Sequence, residues 1–199
     1  MSLVEPFAAG ILLGLSLAAP PGPINVLMAA RAARDGWWSG ARVGFGAATA
    51  DTLFLLLAWF GAIAILARFP DALAVVSLVG AGLMFRLAWG AWRAARTTGT
   101  PPMEARSGGW AAGFAIAATS PYNFAWWLGA GTSLLSSLGP ALAFGFVAGV
   151  LLWVATFPAA VVAARRRIPS LDRWISLASA VILAAFAGWL AWSVLSPRL

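Results

Sequence analysis

The chain of 199 residues is 62% hydrophobic and only 10% charged, with a mean hydropathy of +0.89. A soluble domain carries about 25% charged residues, so this composition belongs to a lipid bilayer. Cysteine and histidine are both absent. That excludes disulfide frameworks, thiol redox chemistry and the commonest metal ligand and general base, and neither a metal nor a cofactor is expected. The net charge of +7 and the pI near 11.8 come from arginines interspersed with apolar stretches. They read as orientation charges at membrane edges, not as a nucleic-acid surface.

The first apolar stretch covers about 6–30. It follows Glu5 instead of a basic segment and exceeds the 7–15 residues of a signal-peptide core, which predicts a retained helix. Within it stands Pro20-Pro21-Gly22-Pro23. Proline removes a backbone donor and clashes with the preceding turn, so carbonyls there lose their helical partners. In hydrocarbon such groups are tolerated only when buried in protein or lining a wet cavity. The second span, about 40–67, carries one charge, Asp51, and the third, about 71–93, carries Arg86. Residues 107–164 hold no charged side chain. That is too long for one span of about 20 residues, and the Gly, Ser and Thr-rich segment Gly129 to Pro140 predicts a turn that divides it into a fourth and a fifth span. The fourth is interrupted by Ser120-Pro121-Tyr122-Asn123. The sixth covers about 174–196.

Six spans place Arg31, Arg34, Arg42, Arg93, Arg96, Arg106, Arg165, Arg166, Arg167 and Arg173 on one side of the membrane, against Arg68 and Arg198 on the other. The positive-inside rule then puts both termini outside the cytoplasm of a multi-pass protein. Trp37, Trp38, Trp89, Trp92, Trp110 and Trp174 form the cytoplasmic aromatic belt, with Trp189 and Trp192 near the outer one. Two halves of three spans, about 1–100 and 107–199, enter the membrane in opposite directions. Gly14 precedes the first proline break as Gly113 precedes Pro121, and Gly44-Phe45 opens the second span as Gly145-Phe146 opens the fifth. The expected fold is an all-α integral membrane protein of six transmembrane helices. It forms one transmembrane domain over 1–199, built as two inverted three-helix repeats with helices 1 and 4 broken at their proline motifs. Paired interruptions at matching places in two halves point to a transporter's binding site at the midplane.

Around those breaks the expected solute-binding residues are Pro21, Gly22, Pro23 and Asn25, then Ser120, Pro121, Tyr122 and Asn123. The amides of Asn25 and Asn123 donate and accept, so they either line a polar site or cap carbonyls freed by the prolines. Asp51 lies roughly 16 Å along its helix from Gly40, near the centre of a ~30 Å core, where a charge costs at least ~2.5 kcal/mol. A carboxyl that can be charged or neutral there suits a proton carrier, and a structural pairing with Arg86 or a threonine is the alternative. Arg86 either snorkels to the interface, faces Asp51 across the bundle, or holds a solute carboxylate. Thr49, Thr52 and Thr119 are expected to bond back to their own helices. The pairs Gly10/Gly14, Gly40/Gly44, Gly109/Gly113 and Gly145/Gly149 read as helix-packing faces. Such faces serve packing within one chain or between two copies, so a homodimer is compatible with them.

At these residues the chain resembles the lysine-exporter (LysE/RhtB) family of small bacterial amino-acid exporters. Pro21-Gly22-Pro23 matches the family's Pro-Gly-Pro, and Arg34, Gly36, Gly40 and Gly44 fit its Arg/Gly pattern leading into helix 2. Asp51 matches its Gly-Asp position, with Ala50 in place of the glycine. Gly80-Ala81 fits the small pair of helix 3, Pro121 the proline of its Asn-Pro-Lys, and Trp126-Trp127 an aromatic pair that follows. Here Ser120-Pro121-Tyr122 stands in place of Asn-Pro-Lys, so the charge at the second break is missing. The resemblance implies export of amino acids or similar small zwitterionic or cationic solutes across the bacterial inner membrane, driven by protons.

Other classes fit less well. An intramembrane enzyme needs clustered acids, a metal set or a nucleophile with a base, and the spans hold one carboxylate. An ion or metal carrier would show more ligands. A non-transporting membrane scaffold would need neither the paired breaks nor a midplane acid.

Overall fold

The computed structural model describes residues 3–61, 68–96, 109–127, 132–167 and 171–196, and among them every regular element is helical. The chain enters as α1 (Val4–Ala18) and re-forms as α2 (Pro23–Asp35), the two axes meeting at 81°. Proline drives the break, since rings at positions 20, 21 and 23 withhold three of four successive donors from the ladder. Pro23 then sits at the start of α2, where a missing N–H matters least. Gly36 ends α2 with φ of 90°, a conformation that favours glycine, and α3 (Trp37–Trp59) follows without a further linker. After α4 (Pro70–Arg96), the second break separates α5 (Gly109–Ala118) from α6 (Pro121–Trp126) at Thr119 and Ser120. The bundle is completed by α7 (Thr132–Arg167) and α8 (Leu171–Leu195).

Two boundaries differ from the sequence reading. The second span was expected to reach residue 67; α3 stops at Trp59 and Gly61 turns the chain with φ of 71°, while residues 62–67 lie outside the described residues. The apolar run continues past that point, so hydropathy alone does not register the stop. The expected turn over Gly129 to Pro140 is narrower than its composition implies. Residues 132–138 are helical, and the backbone departs from helix at Gly139 (φ 68°, ψ −164°), just before Pro140. Gly129, Arg106, Ser107 and Arg198, together with the side chains of Arg96, Pro121, Arg173 and Trp174, lie outside the described residues.

By length and composition, α3 and the Gly139–Arg167 part of α7 can cross a membrane, and α1 with α2 qualifies as one broken span. Shorter apolar helical stretches occur at Leu78–Gly90, Gly109–Ala118 and Ala180–Trp189.

Packing is reciprocal. α1 runs along α7 in the same direction, with Gly10 and Gly14 against the backbone of Leu142 to Val150, and Gly145 and Gly149 against that of Phe7 to Ile11. α5 runs along α3 likewise, with Gly113 on the Val43 carbonyl and Gly46 on the Trp110 carbonyl. Absent side chains let the backbones approach closely, which is how helices associate where lipid removes the hydrophobic drive. α4 lies along α8, and α2 is enclosed by α3, α7 and α8. Within α7, Pro158 disturbs the helical ladder, and one turn earlier the indole Nε1 of Trp37 donates to the Ala155 carbonyl at 2.9 Å. The arrangement leaves the two proline breaks facing a common space.

Candidate functional site

That space is a cavity of about 280 Å³ between the α1–α2 break, the α5–α6 break and the middles of α3, α7 and α8. Pro20, Pro21, Tyr122 and Trp189 line it and are exposed, forming its rim. Met28, Gly44, Ile116 and Val154 line the opposite end and are buried, forming its floor. Gly44 and Val154 lie toward the arginine-bearing ends of α3 and α7, and Met28 is one turn from Arg31 on α2.

The first break is closed by its own asparagine. Asn25 Nδ2 donates to the Ala18 carbonyl at 2.7 Å and to the Pro20 carbonyl at 2.8 Å, with Ala19 further off at 3.4 Å. The carbonyls that the prolines free are therefore occupied, and Asn25 caps them while also lining the cavity. Its Oδ1 in turn accepts from Trp153 Nε1 at 2.9 Å, tying the break to α7. Gly22, at the N-cap of α2, offers the first turn no side-chain acceptor, and the positive end of the helix dipole lies beside the cavity.

The second break works differently. Ser120 Oγ accepts weakly from the Asn123 backbone N–H at 3.4 Å, capping α6. The Asn123 side chain instead reaches α3, where its Nδ2 donates to Asp51 Oδ1 at 2.8 Å. Asp51 is only 5% exposed and Asn123 equally so. Asp51 forms no ion pair among the described residues, and its Oδ2 has no hydrogen-bond partner there. A buried carboxylate served by one amide and no cation is an unstable arrangement unless a proton or a cationic ligand joins it.

Asp51 and seven of the eight expected binding residues, Pro21, Gly22, Pro23, Asn25, Ser120, Tyr122 and Asn123, line this one cavity. Pro121 starts α6 at its edge. Arg86 is not brought in: it sits on α4 with an exposed side chain, and the partner of Asp51 is Asn123. The threonines bond back as expected, Thr49 to Phe45, Thr52 to Ala48 and Thr119 to Ala115, at 2.6–2.8 Å. Sequence reasoning missed Trp153, Phe186 and Met28, all of which line the cavity. Trp153 had a usable signal: it lies twelve residues, about 18 Å of helix, from Arg165, far from either interfacial belt. Trp189, read as a belt residue, also lines the cavity.

Apolar helices broken by proline around a cavity that holds a lone acid are the build of a membrane carrier. The chain belongs to the LysE type translocator family, whose model matches residues 15–193. It is also similar to the "Putative amino acid efflux protein YcgF" of Bacillus subtilis (strain 168), at 30% identity over 163 residues, covering 74% of this chain and 76% of that protein. No solved structure gives a significant match.

Proposed function

We propose that this protein exports amino acids from the bacterial cytoplasm across the inner membrane as a proton-coupled secondary transporter. The observation that carries the reading is the buried Asp51 carboxylate, lining the cavity between the two breaks with one amide partner and no cation among the described residues. A solute ammonium and a proton each neutralise that charge, and they compete for it. Asn123 holds one carboxylate oxygen and leaves the other for whichever arrives. The solute's carboxylate sits at the uncapped start of α2, where N–H groups and helix dipole favour an anion. The solute binds ionised Asp51 from the cytoplasm, and a proton taken up outside displaces it there. The family and the name of the Bacillus relative support amino acids as cargo.

Movement between the two access states needs two bodies that rock against each other. The halves 1–100 and 107–199, each of three spans and of opposite orientation, are those bodies in this proposal. The packing supports their opposite insertion: the first helix of each half runs parallel to the second helix of the other.

Asp51→Asn tests the coupling. The amide keeps an oxygen to accept from Asn123 and removes the charge, so folding and insertion should persist. Proton-driven export in proteoliposomes should fall to background, and exchange of solute down its own gradient should weaken with it, because the ammonium loses its counter-charge. Export at the normal rate with unchanged pH dependence would reduce Asp51 to a structural role.

A further inference from the structure

We infer that the cargo is an amino acid with a large apolar side chain, branched or aromatic, and not a dibasic, acidic or very small one. This rests on the exporter reading and names the substrate class of the same site. The cavity has two unlike walls. Asp51, Ser120, Tyr122 and Asn123, from α3 and the second break, supply polar groups. From α1, α7 and α8 the lining takes Leu17, Val150, Trp153, Val154, Phe186 and Trp189. The polar handle of Trp153 is already committed to Asn25, which leaves its ring as apolar surface. Phe186 and Trp189 meet edge to face, centroids 6.4 Å apart, the geometry in which aromatic rings pack favourably.

Size sets one limit. At about 280 Å³ the cavity falls just under the roughly 300–1,000 Å³ of sites for drug-sized ligands, which suits one amino acid. Glycine would leave the apolar wall against trapped water and gain nothing from it. Charge sets the other limit. Once Asp51 holds the α-ammonium, a lysine side chain would place a second ammonium against a wall with no second carboxylate among the lining residues. A glutamate side chain would meet no cation there, since no arginine is among the described lining residues. An unpaired buried charge is strongly disfavoured, whereas each methylene placed on an apolar wall is worth about tenfold or more in discrimination.

The test uses purified protein in proteoliposomes loaded in turn with labelled leucine, phenylalanine, lysine, glutamate and glycine, with release followed down each solute's own gradient. Leucine and phenylalanine should leave at least about tenfold faster than the other three. Aromatic faces also attract cations, and release of lysine as fast as leucine would overturn the inference while leaving amino-acid export intact. Release of none of the five would overturn both. Phe186→Ser should lower the ratio of phenylalanine to glycine release by about tenfold. Should that protein fail to fold, Trp189→Gln at the exposed rim should shift the ratio in the same direction. A uniform loss at constant ratio would show that the wall shapes the bundle and does not select cargo.

Discussion

Asn25 and Asn123 stand two residues after matching prolines, yet their amides do different work. Asn25 spends both donors' capacity on backbone carbonyls and its acceptor on Trp153, so it holds the first break in shape. Removing it orphans the Ala18 and Pro20 carbonyls and the Trp153 N–H, each worth about 1–3 kcal/mol when left unmade in a buried setting. Asn25→Ala should therefore lower stability by about 2 kcal/mol or more, read as an earlier melting transition in detergent. Asn25→Asp should be worse, because carboxylate oxygens would then face carbonyl oxygens with no proton between them. If Asn25→Ala melts like the parent, water serves those carbonyls and the cap is dispensable. The sequence left the two roles of each asparagine open for a physical reason: proline frees carbonyls locally, but the partner that decides an amide's use lies far along the chain. Asn25 meets Trp153 and Asn123 meets Asp51 only once α3 and α7 are in place.

At the scale of elements, helix contact is set by where a side chain is missing. A Cβ on Gly14 would strike the Phe146 carbonyl oxygen, and one on Gly113 the Val43 carbonyl oxygen. These obstacles are backbone and cannot rotate away. Gly188 in α8 and Gly82 in α4 have no atom within 4 Å of such a position. Gly14→Ala and Gly113→Ala should each destabilise by about 1–3 kcal/mol through forced separation of paired helices. Gly188→Ala and Gly82→Ala should be neutral or stabilising by up to about 1 kcal/mol, from helix propensity alone. Melting of the four variants side by side checks the contrast, and equal losses at all four would refute close approach as the cause. The Gly-x-x-x-Gly spacings announced these faces in the sequence but not which face meets which. The proline breaks were legible for the opposite reason: ring chemistry acts within a turn and needs no partner. The end of α3 was illegible because the residues after Gly61 stay apolar, and Arg86 was drawn toward Asp51 only because no other charge was available inside a span.

For the whole molecule, the cavity's rim and floor combine with the arginine distribution into one expectation. The floor residues Met28, Gly44 and Val154 lie toward Arg31, Arg42 and Arg165 along their helices, the end that the positive-inside rule assigns to the cytoplasm. The rim at Tyr122 and Trp189 faces the other way. On that expected orientation the conformer admits solute and protons from outside and is sealed toward the cytoplasm, where Met28 and Val154 both crowd Gly44. The chain has no cysteine, so single cysteines report cleanly. Under conditions that favour this conformer, Tyr122→Cys should react with a membrane-impermeant thiol reagent added outside intact cells, and Met28→Cys should not. Loading cells with solute on the cytoplasmic side should shift the population toward the opposite access state, slowing Tyr122→Cys and exposing Met28→Cys to reagent in inverted vesicles. Reporter fusions after Ser107 and at Leu199 fix the sides independently, expected cytoplasmic and external respectively. If the fusions agree but Tyr122→Cys labels only from the cytoplasmic side, the cavity opens inward and the direction of the seal is reversed. If both fusions report one side, six spans fail and with them the opposite insertion of the two halves.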